Sequence, residues 1–200
     1  MKLSMLSRTF FLLAGVGVLL SGCVPVAIVG GATLLGFTAL RSTPGIIGKI
    51  GDVTIQARIN TKWAKYNINV NDRLSVFAKG GYALLIGYAK DEQQRDKALQ
   101  LAKEVLPSNK IYNEIRVGDR QGAGRYSSDA AITSKVSAAI FAKGKVRSFN
   151  YNATTLDGTV YVIGATNDPQ EMQTVLDVVS NIKGVFKVVS YIKVIPDWVK

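Results

Sequence analysis

The sequence contains no histidine and one cysteine among its 200 residues. Without histidine it lacks the side chain most often used as a general base at neutral pH, and the commonest ligand of transition metals. A single cysteine excludes an internal disulfide and any multi-cysteine metal site. Acidic residues are sparse as well: 14 Asp and Glu stand against 25 Lys and Arg, a net charge of +11. Such a balance favours acidic partners, whether nucleic acid, anionic lipid or another polyanion. The apolar content of 48% is enough for a folded core, in one ordinary domain or two small ones.

Long apolar runs are missing too. Thr9–Leu20 and Val24–Leu40 are uncharged, but both are short of the ~20 residues that span a bilayer, and the second contains Pro25, Gly30, Gly31 and Gly36. Lys2 and Arg8 before the first run, and small residues after it, read as a secretory signal. Leu20-Ser21-Gly22-Cys23 resembles the lipobox of bacterial lipoproteins. That resemblance implies cleavage before Cys23, diacylation of its thiol and acylation of the new amino group. Val24, where an aspartate would signal retention, implies export to the outer membrane. Several acyl chains together anchor a protein stably. Residues 1–22 are thus expected as signal peptide, and 23–51 as a lipidated amino terminus and flexible apolar tether. Lys2 and Arg8 are the only charges in the first 22 residues, so the mature chain keeps a net +9. Once exported, it has no chromosomal nucleic acid to meet, and its charge points to membranes instead.

The remainder is an internal repeat. A shift of 77 residues lays Asp52–Val117 over Asp129–Val194 without a gap. Gly81/Gly158, Gly87/Gly164, Asp91/Asp168 and Leu99/Leu176 are identical pairs. Each copy reads as helix, strand, strand, helix, strand. Apolar residues recur every four positions in the first helix, at Ile55, Ile59, Trp63 and at Ile132, Val136, Ile140. Gly80-Gly81 and Asp157-Gly158 mark hairpin turns. Asp91 and Asp168 open the second helices, with Gln94 and Glu171 three residues on as capping-box partners. Their identical places make these aspartates caps rather than an acid/base pair. The predicted class is α+β: two tandem αββαβ sandwiches, each with two helices on a three-stranded mixed sheet. Domain 1 spans 52–118, a linker 119–128, domain 2 129–195 and a tail 196–200. Trp198 in that tail packs on domain 2 or touches a partner; both readings stay open.

This order, with the glycine ending the second strand (Gly87, Gly164) and the helix-opening aspartate, resembles the BON domain. A lipobox followed by two such copies resembles the dual-BON outer-membrane lipoproteins of Gram-negative bacteria. The resemblance implies roles in outer-membrane integrity and anionic-phospholipid binding, localisation to the division site, and a link to the outer-membrane protein assembly machinery.

Bulk charge favours copy one as the lipid-binding unit, with a net +4 against +2. The pattern favours copy two. Wound at about 100° per residue, its first helix turns Ile132, Val136 and Ile140 to the core and Phe141 to the opposite side. Ala130, Ala131, Ser134, Lys135 and Ala138 complete a weakly polar outer face, and Lys143, Lys145 and Arg147 follow it. An aromatic ring beside a basic cluster suits an anionic membrane surface. The bland alternative has Phe141 packing on Tyr126 or on copy one. In copy one the corresponding helix carries Ala64 in place of the phenylalanine. Glycine-rich "GGATLLG" and "GDRQGAGR" lack the G-K-[ST] ending of a phosphate loop.

The expected protein is a non-enzymatic, monomeric lipoprotein without cofactor, anchored in the outer membrane and facing the periplasm. It binds anionic phospholipid through Cys23-tethered domain 2. The alternative is a periplasmic interaction protein that docks on assembly machinery or peptidoglycan without contacting lipid.

Overall fold

A computed structural model describes residues 44–68, 73–119 and 122–195, the first seven of them through their backbone alone. The expected signal peptide, the expected lipidation site Cys23, and Trp198 lie outside the described residues. Within 39–200, which forms one compact unit, the order is α1 (Pro44–Lys65), β1 (Leu74–Lys79), β2 (Tyr82–Ala89), α2 (Glu92–Lys103) and β3 (Ile111–Val117) for copy one. Copy two repeats it as α3 (Ala123–Ala142), β4 (Tyr151–Leu156), β5 (Thr159–Thr166), α4 (Pro169–Ser180) and β6 (Lys187–Val194). The αββαβ expectation therefore holds in both copies.

Each sheet is mixed. β2 runs antiparallel to β1, with Leu74 opposite Gly87, and parallel to β3, with Ala83 opposite Ile111. β5 stands between β4 and β6 in the same way. The hairpin turns have positive φ at both central residues, 61° and 80° at Gly80-Gly81 and 54° and 73° at Asp157-Gly158. That geometry matches the right-handed twist of the flanking strands.

The four-residue stripe of each first helix faces its sheet. Ile59 and Trp63 pack with Leu85 and Leu101 in copy one, and Val136 packs with Val160, Val162 and Val175 in copy two. Trp63 keeps its indole N–H satisfied by donating to the carbonyl of Ala98 on α2 at 3.0 Å.

A third cluster lies between the copies. Leu84 and Ile86 of β2 meet Tyr161 and Ile163 of β5, so the two sheets pack face to face with the helices outside. The central strands are consequently buried on both faces. Complete burial of each such side chain stabilises by about 1.5–3 kcal/mol.

Two boundaries differ from expectation. The tether expected over 23–51 becomes helix at Pro44, and the linker expected over 119–128 becomes helix at Ala123. Proline at a first helical position loses no hydrogen bond, so Pro44 starts a helix where its composition suggested a loop. The glycines and serines of 122–128 are weak helix formers and all exposed; the helix extends into them from the buried stripe that begins at Asp129 and Ile132, at a propensity cost of under about 1 kcal/mol per residue.

A buried carboxylate joins the first helix to the hairpin in each copy. Asp52 accepts from the N–H of Gly80 at 3.0 Å and Gly81 at 2.8 Å. Asp129, one repeat later, accepts from Asp157 at 2.7 Å and Gly158 at 2.9 Å. Charge-assisted bonds of this kind are worth about 1.5–3 kcal/mol each. Asp129→Ala strands both donors and is expected to lower stability by about 3 kcal/mol; Asp129→Asn keeps one acceptor and costs less. Chemical denaturation checks this, and equal midpoints for all three proteins would dismiss the staple.

Candidate functional site

The outer face of α3 is open. Ala130, Ala131, Ser134, Lys135 and Ala138 are all exposed, and so are Lys143 and Lys145 beyond the helix. Phe141 is 77% exposed and Tyr126 58%. Fifteen residues of helix put these two about 22 Å apart along the axis, so they do not cover one another. The cations after α3 also face the negative end of its dipole, a favourable placement.

Arg147 differs from the two lysines. Its Nε lies 3.8 Å from Oε2 of Glu171, and its backbone N–H donates to Oε1 at 3.3 Å. Tyr151 donates its hydroxyl to the same Oε1 at 2.8 Å. Burial, above all, holds the Tyr151 hydroxyl well above its ordinary pKa, which keeps it protonated as a donor. Glu171 is buried, so it does not close a capping box as the spacing suggested. Asp168 alone caps α4 by accepting from Gln170, and its own N–H donates to Thr166 Oγ1. In copy one the capping pair forms: Asp91 accepts from Gln94 N–H at 2.7 Å, and the Gln94 amide oxygen reaches back to the N–H of Lys90. A carboxylate at position 171 finds a better partner in a tyrosine and a guanidinium than in a helix end. Its effect is to hold the 143–150 loop against α4, together with Val146, which sits in the core.

That loop carries a residue the sequence reading missed. Phe149, 53% exposed, sits in the short 3-10 turn Ser148–Asn150. The available signal was an aromatic flanked by Ser148 and Asn150 just after a basic run, in no strand or helix pattern. Phe141, Lys143, Lys145 and Phe149 are thus all exposed on the carboxyl end of α3 and the loop that follows it.

Five strand tyrosines, Tyr82, Tyr88, Tyr112, Tyr161 and Tyr191, lie at the seam between the copies. Asp157 accepts from the Tyr88 hydroxyl and from Arg116. Arg116 also donates to the Tyr161 hydroxyl at 3.2 Å, and Tyr191 donates to Glu114. Tyr112 stacks on Tyr191 at 4.0 Å between ring centres and on Tyr82 at 5.9 Å. Burial first, and then the Asp157 carboxylate, push the Tyr88 hydroxyl above its ordinary pKa. Burial and Glu114 act on Tyr191 in the same direction. Both hydroxyls therefore stay protonated donors at neutral pH, and the seam stays clamped.

Among the described residues, no helix is long and apolar enough to cross a membrane.

The arrangement has relatives. Residues 51–119 and 128–196 each match the BON domain model, so the chain belongs to the BON domain family as two tandem copies. It is similar to the outer membrane lipoprotein DolP of Haemophilus influenzae, 30% identical over 194 residues that cover 96% of this chain and 98% of that protein. It is also similar to a 21 kDa hemolysin of Actinobacillus pleuropneumoniae, 30% identical over 72% of this chain and 74% of the other. The osmotically-inducible protein Y of Escherichia coli is 23% identical over 71% of this chain and 72% of its own length.

Proposed function

We propose that this chain is an outer-membrane lipoprotein, held by acylated Cys23 and facing the periplasm. In this reading the carboxyl end of α3 contacts anionic phospholipid and so supports outer-membrane integrity, including at the division site. The lipobox and the similarity to DolP along nearly the whole chain support the location. The observation that carries the lipid reading is an exposed Phe141 next to Lys143 and Lys145, on a loop that Glu171 holds in place.

Magnitudes define the mechanism. A ring entering the headgroup boundary gains about 2 kcal/mol, and each lysine near an anionic surface about 1 kcal/mol. A sum of about 4 kcal/mol corresponds to a millimolar affinity. The patch therefore acts on a protein already confined to the membrane, and its role is to orient domain 2 rather than to retain the chain.

Flotation of residues 39–200 with millimolar phosphatidylglycerol-containing vesicles tests this. Phe141→Glu is expected to reduce the bound fraction about tenfold or more. Raised salt should remove the lysine share and spare the ring. Unchanged flotation of Phe141→Glu would overturn the lipid reading and favour a protein-docking role.

A further inference from the structure

Face-to-face packing of the two sheets leaves a groove along one side of the seam. Its volume is about 550 Å³, within the range of about 300–1,000 Å³ typical of ligand sites. The floor is apolar: Phe77, Ile86 and Leu156 continue the cluster between the sheets. Ala130 and Ser134 of α3 form one wall. Two guanidinium groups stand in the lining, Arg73 from copy one and Arg125 from copy two.

The charge balance of the groove follows from its hydrogen bonds. Two carboxylates line it, and both are engaged within the protein, Asp129 by the turn N–H groups and Asp157 by Tyr88 and Arg116. The arginines have donors to spare. A guanidinium offers five N–H groups. Arg73 donates one to the Gly118 carbonyl at 2.6 Å and lies 3.5 Å from the fully exposed Asp119 carboxylate, while its buried Nε has no partner. Arg125 makes a long contact of 3.4 Å to the Asp157 carbonyl. The guanidinium N–H groups that these contacts leave over suit an oxygen-bearing anion in the groove.

We infer that the groove binds an anionic amphiphile: an aliphatic chain on the Phe77–Ile86–Leu156 floor and a phosphate or carboxylate head between Arg73 and Arg125. Either head suits the pair, because a guanidinium meets both in a bidentate manner. The site is distinct from the Phe141 end of α3: Ser134 and Phe141 are about 10 Å apart along the helix axis. Because the two arginines belong to different copies, an occupant bridges them, and it should raise the melting temperature with the logarithm of its concentration once that exceeds Kd.

The probe is dodecyl phosphate, below its micelle concentration, titrated calorimetrically into residues 39–200, the unit that contains both cores. One molecule per chain is expected, with laurate at comparable affinity. Inorganic phosphate and dodecyl maltoside should each bind at least tenfold more weakly. Arg125→Gln removes a head contact, and Ala130→Trp fills the wall from an exposed position. Each should weaken binding about tenfold while leaving the circular dichroism unchanged. Phe141→Glu should leave this binding intact, which separates failure here from failure of the membrane contact. Equal binding of dodecyl maltoside would overturn the anionic head, and equal binding of inorganic phosphate would overturn the chain. Unchanged binding in both groove variants would overturn the site.

Discussion

Gly87→Ala is expected to lower the stability of residues 39–200 by about 4 kcal/mol, a large share of the roughly 5–15 kcal/mol that holds a domain folded. Gly87 has a φ of +126°, where side chains other than glycine's hydrogen are strained by about 1–3 kcal/mol. A Cβ built there stands 2.0 Å from the Arg73 carbonyl oxygen, which is backbone and cannot rotate away. The same oxygen accepts the N–H of Tyr88 at 2.8 Å, so moving it breaks a bond in the β1–β2 pair. Overpacking of this kind adds about 1–3 kcal/mol. The paired glycine behaves differently. Gly164 has no positive φ, and its Cβ would meet the Tyr151 ring at 2.6 Å and the Asn150 carbonyl oxygen at 2.8 Å. Its backbone clash is at 2.8 Å instead of 2.0 Å and carries no strained φ, so Gly164→Ala should cost less than Gly87→Ala. Urea denaturation of both variants checks the order, and a Gly87→Ala protein within 1 kcal/mol of the parent would refute the steric argument.

The second large effect concerns the seam. Residues 41–120 and 121–200, produced separately, are expected to aggregate or pair with themselves instead of folding as stable monomers. Each half would expose one side of the sheet-to-sheet cluster, Leu84 and Ile86 in the first and Tyr161 and Ile163 in the second. These four side chains are almost wholly buried in the intact unit, and together they contribute about 6–12 kcal/mol by apolar burial, an upper figure because unfolded chains are partly compact. Domains of this size have little stability to lose. Separation also removes the acceptors of Tyr88 and Tyr191 and the donors of Asp157 and Glu114. Mixing the halves should restore a one-to-one complex with the mass of the intact unit. Size-exclusion chromatography with light scattering checks this; two well-behaved monomers with no tendency to associate would contradict it.

Much of the fold was legible because its determinants are local. The recurrence of Ile55, Ile59 and Trp63 at helical spacing, the two-residue turns and the helix-opening aspartates each act within a few residues, so their spacing is enough to read them. Boundaries were less legible. Pro44 and the glycines around Gly122 carry opposite meanings inside a helix start and inside a linker, and their composition does not choose between them. Asp52 and Asp129 escaped notice for another reason: each bonds a turn almost thirty residues away. Their occurrence as an identical pair across the repeat was the one available sign.

The candidate site divides in the same manner. Phe141 follows from helical phase, and the structure leaves it as exposed as the phase requires. Arg147 could not be separated from Lys143 and Lys145 by sequence, since its partner Glu171 lies on another helix. The groove was invisible altogether.

By itself, the sequence determined two copies of one αββαβ unit and the order of elements within each, through local spacing and residue type. Only the tertiary structure decided that the two sheets face each other. The apolar runs of β2 and β5 announce burial on both faces without naming what covers the second one. From that packing come the tyrosine clamp and the groove that Arg73 and Arg125 both line.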